Sequence, residues 1–330
     1  MSATTLPARG SAAASARRLL GNGTLIVAAI YLLLLAVFAA RQPGALSDSS
    51  VTDLFNNALP LALAAAGGTL VVLTRGFDLS VAGVVALTNV LMATQVGDGA
   101  GGALEGLAMV VGVGLVVGAV NGYLVAYVRL QSIASTLATM IVTSGLALLV
   151  LDAPGGNVPD FVSYGLTDVV AGGIPVAALI ALGVVALWLV LRRTDWGVAL
   201  YAVGADETAA GLAGIPTRRV KFLAYCLAGV FYGLSGYMLS ALTATGNPNA
   251  GNAYLLLTFA AIAIGGTSFS GGRGGLVGAM IGAATLTLLQ KVLFSAGVSS
   301  FYTGIFQGLV MILAVLIAAI SERLARGRRA

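Results

Sequence analysis

Two ionisable residues, Arg75 and Asp78, lie three positions apart in "TLVVLTRGFDLSVAGVVAL", between two strongly apolar runs. Charged residues make up only 9% of the chain, so this pair needs an explanation. Gly76 suits a turn, and Asp78 or Ser80 can accept hydrogen bonds from the first free amides of a following helix. We therefore predict a turn anchored at the membrane surface by Arg75. Direct contact between Asp78 and a solute is the second interpretation.

Other reactive groups are scarce. The sequence contains no histidine and one cysteine, Cys226, in an apolar segment. Histidine-based catalysis and histidine-ligated metals are thereby excluded, and we predict neither a metal site nor a cofactor. Ser144 has no histidine base to activate it, and no two aspartates fall at mid-membrane depth, so an intramembrane protease is set aside.

Three asparagines, Asn57, Asn89 and Asn121, fall within apolar segments. Neutral amides both donate and accept hydrogen bonds, which suits a solute rich in hydroxyl groups. We predict that these residues, with Asp78, line a solute path. The alternative for each one is a hydrogen bond between helices or to its own helix.

The elements that must position these residues are membrane helices. The 330 residues are 58% hydrophobic, with a mean hydropathy of +0.99, whereas a soluble domain carries about 25% charged residues. Apolar runs of the length needed to cross a bilayer recur along the chain. We predict an all-α polytopic membrane protein with ten spans, at residues 24–40, 52–74, 80–96, 103–128, 132–151, 173–191, 220–243, 253–268, 275–296 and 302–320.

Basic residues define the orientation of these spans. With a cytoplasmic N-terminus, all of the 17 lysines and arginines except Arg41 and Lys291 fall on the cytoplasmic side, as the positive-inside rule expects. Both termini are then cytoplasmic, with tails 1–23 and 321–330 around a single transmembrane domain, 24–320. The basic N-terminus followed by an apolar run also resembles a signal peptide, but the run is long and no clear cleavage site follows.

The largest cytoplasmic loop, 192–221, is long enough to hold its own structure. Asp206 opens the Ala-rich run "ETAAGLAG", which predicts a short helix that Gly214 and Pro216 end. In the second half of the chain, "AIGGTSFSGGRGGLVGAMIGA" echoes the stretch around Arg75, with an apolar run, a Gly-rich turn and a Gly-spaced helix. Paired interruptions of this kind are typical of transporters built from repeats.

Four ordered segments between residues 74 and 283 resemble one family, the membrane permease subunits of ribose-type ABC importers. They are "TRGFDLSVAG", "GAVNGYLVAYVRLQSIASTLATM", "TDWGVALYAVGADETAAGLAGIPTRRVKFLAY" and "AAIAIGGTSFSGGRGGLVGAMIGA". The motif turns of this family fall on Gly76, Asp78, Ser80, Gly265, Gly266, Gly271 and Gly272. The chain departs from the pattern at Arg75, Ala82 and Ala205–Asp206, and Gly211 occupies a usual arginine position.

The resemblance implies a subunit of a larger assembly in a bacterial cytoplasmic membrane. Its partners would be two ATPase subunits, a periplasmic or lipid-anchored binding protein and a second permease copy, identical or paralogous. Nucleic acid is not among them. The substrate class would be pentoses, hexoses and small polyols. The loop 192–221 would couple the permease to the ATPase through Asp206, Glu207, Ala209, Ala210, Gly214 and Ile215.

The chain itself is predicted not to be an enzyme. "GGTSFSGGRGG" has the glycines of a phosphate-binding loop but lacks the Lys-Ser/Thr pair that follows them, so a separate subunit would hydrolyse ATP. The alternative function is an ion-driven secondary transporter of a small polar solute. Proton coupling needs an intramembrane carboxylate that this sequence does not clearly offer, whereas sodium coupling through backbone carbonyls stays open.

Overall fold

The computed structural model describes residues 23–170 and 172–298, together with Ile305, Gly308 and Leu309. Helices dominate this part of the chain, and a hairpin of two-residue strands, β1 (Val169–Val170) and β2 (Ile174–Pro175), pairs antiparallel. The helices are α1 (Gly23–Arg41), α2 (Asp48–Leu73), α3 (Val81–Thr94), α4 (Gly99–Ala126), α5 (Ser132–Val150), α6 (Asp160–Thr167), α7 (Val176–Leu191), α8 (Asp195–Ala205), α9 (Glu207–Leu212), α10 (Thr217–Thr243), α11 (Asn252–Ile264) and α12 (Leu276–Ser295).

Six of these helices are long and apolar enough to cross a membrane, namely α1, α2, α4, α5, α10 and α12. Helices α7 and α8 make a seventh candidate if the pair, bent by 79°, counts as one span. The chain is therefore a multi-pass membrane protein. Helices occupy the first nine of the ten predicted spans. The predicted last span, 302–320, and the predicted tails lie almost entirely outside the described residues.

Helices α3 and α11 are too short to span a bilayer alone. They contain 14 and 13 residues, about 20 Å at a rise of about 1.5 Å per residue, against a hydrocarbon core of ~30 Å. Each adjoins a break in the helical path, between α2 and α3 at residues 74–80 and between α11 and α12 at 265–275. Non-helical backbone at membrane depth requires protein around it, and most residues of α3 are buried.

Helix α2 lies at the centre of the molecule. Of its most apolar 18-residue stretch, 89% is buried inside the protein, and it packs against α10, α11 and α12. A helix that is apolar all round is expected in such an interior position. Because α2 ends at the first break, its C-terminus carries residues 74–80 into the middle of the protein.

Helices α4 and α10 approach so closely that their glycines allow no side chain between them. A Cβ atom on Gly114 would lie 2.1 Å from the Gly229 carbonyl oxygen, and one on Gly229 would lie 2.0 Å from the Gly114 carbonyl oxygen. Small residues let membrane helices associate by backbone contact. Gly114 and Gly118, four residues apart, therefore form a small-residue face of α4 that packs on α10 within one chain.

Two connections between spans contain more structure than the sequence pattern predicts. The connection 152–172 includes α6 and β1, and the connection 192–221 includes α8 ahead of α9. Helix α8 begins where the Thr194 hydroxyl accepts a hydrogen bond from the Gly197 amide at 3.2 Å. This N-cap supplies one of the acceptors that a helix start needs. The apolar run after it is too short for its pattern alone to predict a helix.

The close backbone contact between α4 and α10, which we call the seam, leads to a direct prediction. Gly114→Ala places a methyl group against backbone, so we expect overpacking of about 1–3 kcal/mol and a fall of roughly 1–4 °C in the melting temperature of the detergent-solubilised protein. The matched control is Gly112→Ala in the same helix, where no atom lies within 4 Å of the added Cβ. That control should be neutral or slightly stabilising. Equal melting temperatures for the two variants would contradict the seam.

Candidate functional site

The two Gly-rich turns that echo each other in the sequence meet in the structure. The Gly272 amide donates a hydrogen bond to the Leu73 carbonyl oxygen at 3.0 Å. The Phe77 ring stacks on Phe269 with centroids 5.7 Å apart, and Phe259 contacts both rings. The break after α2 and the break before α12 therefore form one junction.

Arg75 makes the turn that ends α2. Its amide bonds to the Val72 carbonyl at 3.0 Å, and the Gly76 amide bonds to the Val71 carbonyl at 3.1 Å. This is a Schellman motif, in which the residue after the cap takes a left-handed conformation and is usually glycine. Here that residue is Arg75, with φ of 63°. Sequence reasoning assigned the turn to Gly76, and this part of the prediction is wrong.

Gly76 is required for a different reason. A Cβ atom at this position would lie 2.6 Å from the Tyr225 hydroxyl and 2.8 Å from a Val71 methyl group. Among the motif glycines of the second turn, Gly266, Gly271 and Gly272 have positive φ. Gly265 does not, but a Cβ there would meet the Gly278 backbone at 2.4 Å.

The Arg75 side chain folds back onto three backbone carbonyls. Its Nε donates to the Gly204 oxygen at 2.7 Å and the Ser270 oxygen at 2.8 Å. Its Nη2 donates to the Ala205 oxygen. These acceptors belong to the last turn of α8 and to the second Gly-rich turn, 129 to 195 positions away in the chain. No sequence pattern indicates such a contact.

Asp78 lies in a buried polar network beside this junction. Its Oδ1 accepts hydrogen bonds from the Ser80 amide at 3.0 Å and the Ser80 hydroxyl at 2.6 Å. The Asn121 amide donates to the Ser80 hydroxyl at 2.9 Å, and Thr139 donates to the Asn121 oxygen at 2.8 Å. The network joins the break after α2 to α4 and α5.

Of the two residues predicted to cap α3, Asp78 accepts a hydrogen bond from the Ser80 amide, whereas Ser80 makes no capping hydrogen bond. Ser80 is the N-cap residue, but its φ and ψ of −64° and −13° are helical, whereas a capping side chain needs an extended backbone. Its hydroxyl instead donates to Asp78. Hydroxyl groups of α5 satisfy amides of the break, with Ser132 accepting from Phe77 and Thr136 accepting from Leu79. Sequence reasoning missed the role of Ser132.

The Asp78 carboxyl group is only 2% exposed. Its Oδ2 has no hydrogen-bond partner in the part of the chain that the structure describes. Asp78 belongs to the connection between α2 and α3 rather than to a spanning helix. Burial raises its pKa to about 6, against which the hydrogen bonds from Ser80 act to lower it.

The other predicted path residues are dispersed. Asn89 binds both the end of α10, donating to the Ser240 hydroxyl at 2.9 Å, and the connection after it, accepting from the Asn247 amide at 2.7 Å. Asn57 donates to the Asp53 carbonyl of its own helix at 2.7 Å and lines a cavity of about 510 Å³. The rest of that cavity, which we call the outer cavity, is lined by Phe38, Gln42, Ser50, Asp53, Thr287, Gln290, Lys291 and Phe294.

The predicted cytoplasmic helix is present as α9. The Asp206 carboxylate accepts from the Ala209 amide at 2.9 Å, and the turn after the helix uses Gly214 at φ of 83°. The Ile215 amide bonds to the Ala210 carbonyl at 3.0 Å. Glu207 forms an ion pair with Lys221 of α10. The helix is therefore held at both ends while Leu212 is left 87% exposed.

A multi-pass helical protein with two paired breaks in its helices and a short exposed helix between spans belongs to the class of membrane transport permeases. Residues 50–315 match the family model described as "Branched-chain amino acid transport system / permease component". This match covers well over half of the chain, and the protein belongs to that family.

Curated relatives agree with this assignment. The chain is 37% identical over 292 residues to the ribose import permease protein RbsC of Bacillus subtilis, covering 86% of this chain and 89% of that protein. It is 34% identical over 294 residues to the Escherichia coli ribose import permease protein, covering 87% and 90%. The galactose/methyl galactoside import permease protein MglC of Escherichia coli is 28% identical over 309 residues, covering 87% and 91%. No solved structure matches the chain.

The buried Asp78 carboxyl makes stability depend on pH. Because its pKa is higher in the folded protein than the ordinary 3.8, the folded state binds the proton more tightly, and stability falls as pH rises through that window. Asp78→Asn removes the charge at nearly the same size. The variant should therefore gain roughly 2 °C or more in melting temperature over the natural protein as pH rises from 5 to 8.

The control for this pH series is Asp160→Asn in α6, where the carboxyl group is exposed. Its difference from the natural protein should stay constant over the same range. A constant difference for Asp78→Asn as well would show that its carboxyl is not destabilised by burial.

Proposed function

We propose that this protein is the permease subunit of an ATP-driven importer that carries a small sugar or polyol across a bacterial cytoplasmic membrane. The observation that carries the proposal is the match, over most of the chain, to relatives named ribose and galactose import permeases. The capped helix α9 also supports it. If a separate ATPase drives import, the permease requires a surface on its cytoplasmic side that the ATPase can contact.

The assembly that we propose contains two ATPase subunits, a second permease copy and an extracytoplasmic binding protein. In this arrangement residues 24–320 form one permease domain, and the tails 1–23 and 321–330 lie in the cytoplasm. The binding protein delivers the solute, so the permease itself needs only weak contacts along the path. The ATPase subunits supply the energy that moves its helices.

Helix α9, within the loop 192–221, is the proposed contact with the ATPase. Six residues alone make a marginal helix, yet Asp206, Gly214 and the pair of Glu207 with Lys221 fix it in place. The buried Ala210 gives it an inner face, while Leu212 and Ala209 are exposed. An apolar side chain that is exposed at a rigid position is typical of an interface residue.

The proposed solute path begins at the outer cavity, where Asn57 lies among other polar groups. Asn121 and Asp78 belong to it further inward, through the network that reaches the junction of the two turns. Asn89 would contribute by fixing α3 to the connection after α10. Amides and hydroxyls of this kind can exchange hydrogen bonds with a sugar.

An amino acid is the second candidate solute. The family description names branched-chain amino acids, and the outer cavity contains both a carboxylate, Asp53, and an ammonium group, Lys291. Opposite charges of this kind would suit a zwitterion. The sugar is preferred because the curated relatives named above are sugar permeases and are similar along nearly their whole length.

The test of function is uptake by proteoliposomes that contain this permease, its ATPase and its binding protein. We expect labelled ribose or galactose to accumulate with ATP and not with an imposed sodium or proton gradient. Accumulation of leucine instead would establish the amino-acid candidate. Uptake driven by an ion gradient without ATP would establish the secondary transporter.

Leu212 tests the proposed contact separately. Leu212→Asp should weaken the binding of the ATPase to the permease by about tenfold or more, equivalent to about 1.4 kcal/mol, because a carboxylate would be desolvated in an apolar contact. Leu212→Met preserves the apolar contact and should change the affinity by less than about twofold. Neither should change the melting temperature of the free permease, since Leu212 is 87% exposed. Equal affinities for both variants would exclude α9 as the contact.

A further inference from the structure

We propose that Arg75 is the positioning residue that makes α9 and the two Gly-rich turns move together during transport. The proposal rests on the proposed function, in which α9 meets the ATPase. It goes beyond that function because it assigns one side chain to the link between the cytoplasmic contact and the breaks in the membrane helices.

The first step concerns the backbone of Arg75. At φ of 63° a residue with a Cβ atom is strained by roughly 1 kcal/mol, whereas glycine is not. Glycine would therefore end α2 at least as well as arginine does. The arginine contributes something that the turn itself does not need, namely its guanidinium group.

The second step concerns what the guanidinium binds. Gly204 and Ala205 are the last residues of α8, and the final carbonyls of a helix have no partner within the helix and carry its negative dipole end. A cation suits that position, and its hydrogen bonds are stronger than those of neutral donors. The third acceptor, the Ser270 carbonyl, lies in the second Gly-rich turn.

The third step is the distance along the chain from these bonds to α9. Ala205, which accepts from Arg75, is followed at once by Asp206, which caps α9. The Asp206 amide is in turn bonded to the Ala202 carbonyl in α8. A displacement of α9 is therefore transmitted to the α8 carbonyls that Arg75 binds, because no flexible linker separates α9 from α8.

The fourth step distinguishes movement of α9 towards the turns, a push, from movement of α9 away from them, a pull. At Gly204 the backbones are in direct contact, because a Cβ there would lie 1.8 Å from the Leu73 oxygen and 2.5 Å from the Gly272 nitrogen. Contact between packed atoms resists compression, so a push from α9 reaches the turns without Arg75. Resistance to separation requires bonds, and at this junction Arg75 joins the end of α8 to both turns. Tyr201 of α8 also donates to the Gly274 carbonyl at 2.9 Å, but that bond reaches the second turn and not the first. Arg75 therefore supplies the direct bond between α8 and the first turn when α9 moves away from the membrane.

The experiment uses the complete transporter in proteoliposomes and measures solute imported per ATP hydrolysed. Arg75→Gly should keep the melting temperature within a few degrees, because relief of the backbone offsets the lost hydrogen bonds. It should also keep ATPase binding and the ATP hydrolysis rate within about twofold. The ratio of solute to ATP should fall at least fivefold. Arg75→Lys keeps the charge and should recover part of the ratio.

Arg129→Gly is the matched control. Arg129 also has a left-handed backbone, with φ of 66°, and it is exposed. It makes no hydrogen bond or ion pair within the described residues. The substitution therefore relieves the same strain without breaking a link, and the ratio should be unchanged. If Arg75→Gly does not accumulate in the membrane, Arg75→Gln provides the same comparison.

The outcomes separate this proposal from the proposed function. If the natural transporter imports solute with ATP and Arg75→Gly has an unchanged ratio, the link through Arg75 is refuted and the function stands. An equal loss for Arg129→Gly would also refute it, since relief of strain would then be the cause. If the natural transporter shows no ATP-driven uptake, the proposed function fails, and the role of Arg75 fails with it.

Discussion

Where a membrane helix breaks, its backbone amides and carbonyls have no water to bond, and the rest of this structure depends on how that constraint is met. An unsatisfied buried backbone group is costly. At residues 74–80 the solution uses side chains from two helices. Ser132 and Thr136 of α5 accept from amides, and the hydroxyl of Tyr225 in α10 donates to the Phe77 carbonyl at 3.4 Å. The helices around the break are thus held in register by the break itself.

The same constraint explains the central position of α2. Its C-terminal end must deliver residues 74–80 to a place that other helices cover, so every residue from Ala58 to Leu73 is buried. The close contact of α4 with α10 has a related effect, because it brings Asn121 of α4 and Tyr225 of α10 to the same break. Asp78 is tolerated there because Ser80 satisfies one of its oxygens twice.

Much of the fold follows from sequence because hydropathy and length decide which segments enter a bilayer. The first nine predicted spans coincide with helices, and Asp206 and Gly214 mark the ends of α9 as their chemistry indicates. Local rules failed where distant contacts override them. Glycine is the expected left-handed residue at the end of α2, yet Arg75 takes that conformation, since its side chain has acceptors 129 to 195 residues away. The Ser80 hydroxyl does not cap α3, because it donates its hydrogen bond to the buried Asp78 carboxyl group.

The contact of Gly204 with Leu73 and Gly272 also limits how this protein can be recombined with its relatives. Three segments that are far apart in the chain share one interface of bare backbone, where no side chain can shift to absorb a difference. A chimaera that takes only the loop 192–221 from a relative would place the relative's α8 C-terminus against the turns of this protein. The natural unit of exchange is therefore not a continuous stretch of sequence. It is the loop together with residues 73–76 and 268–272, exchanged as one set.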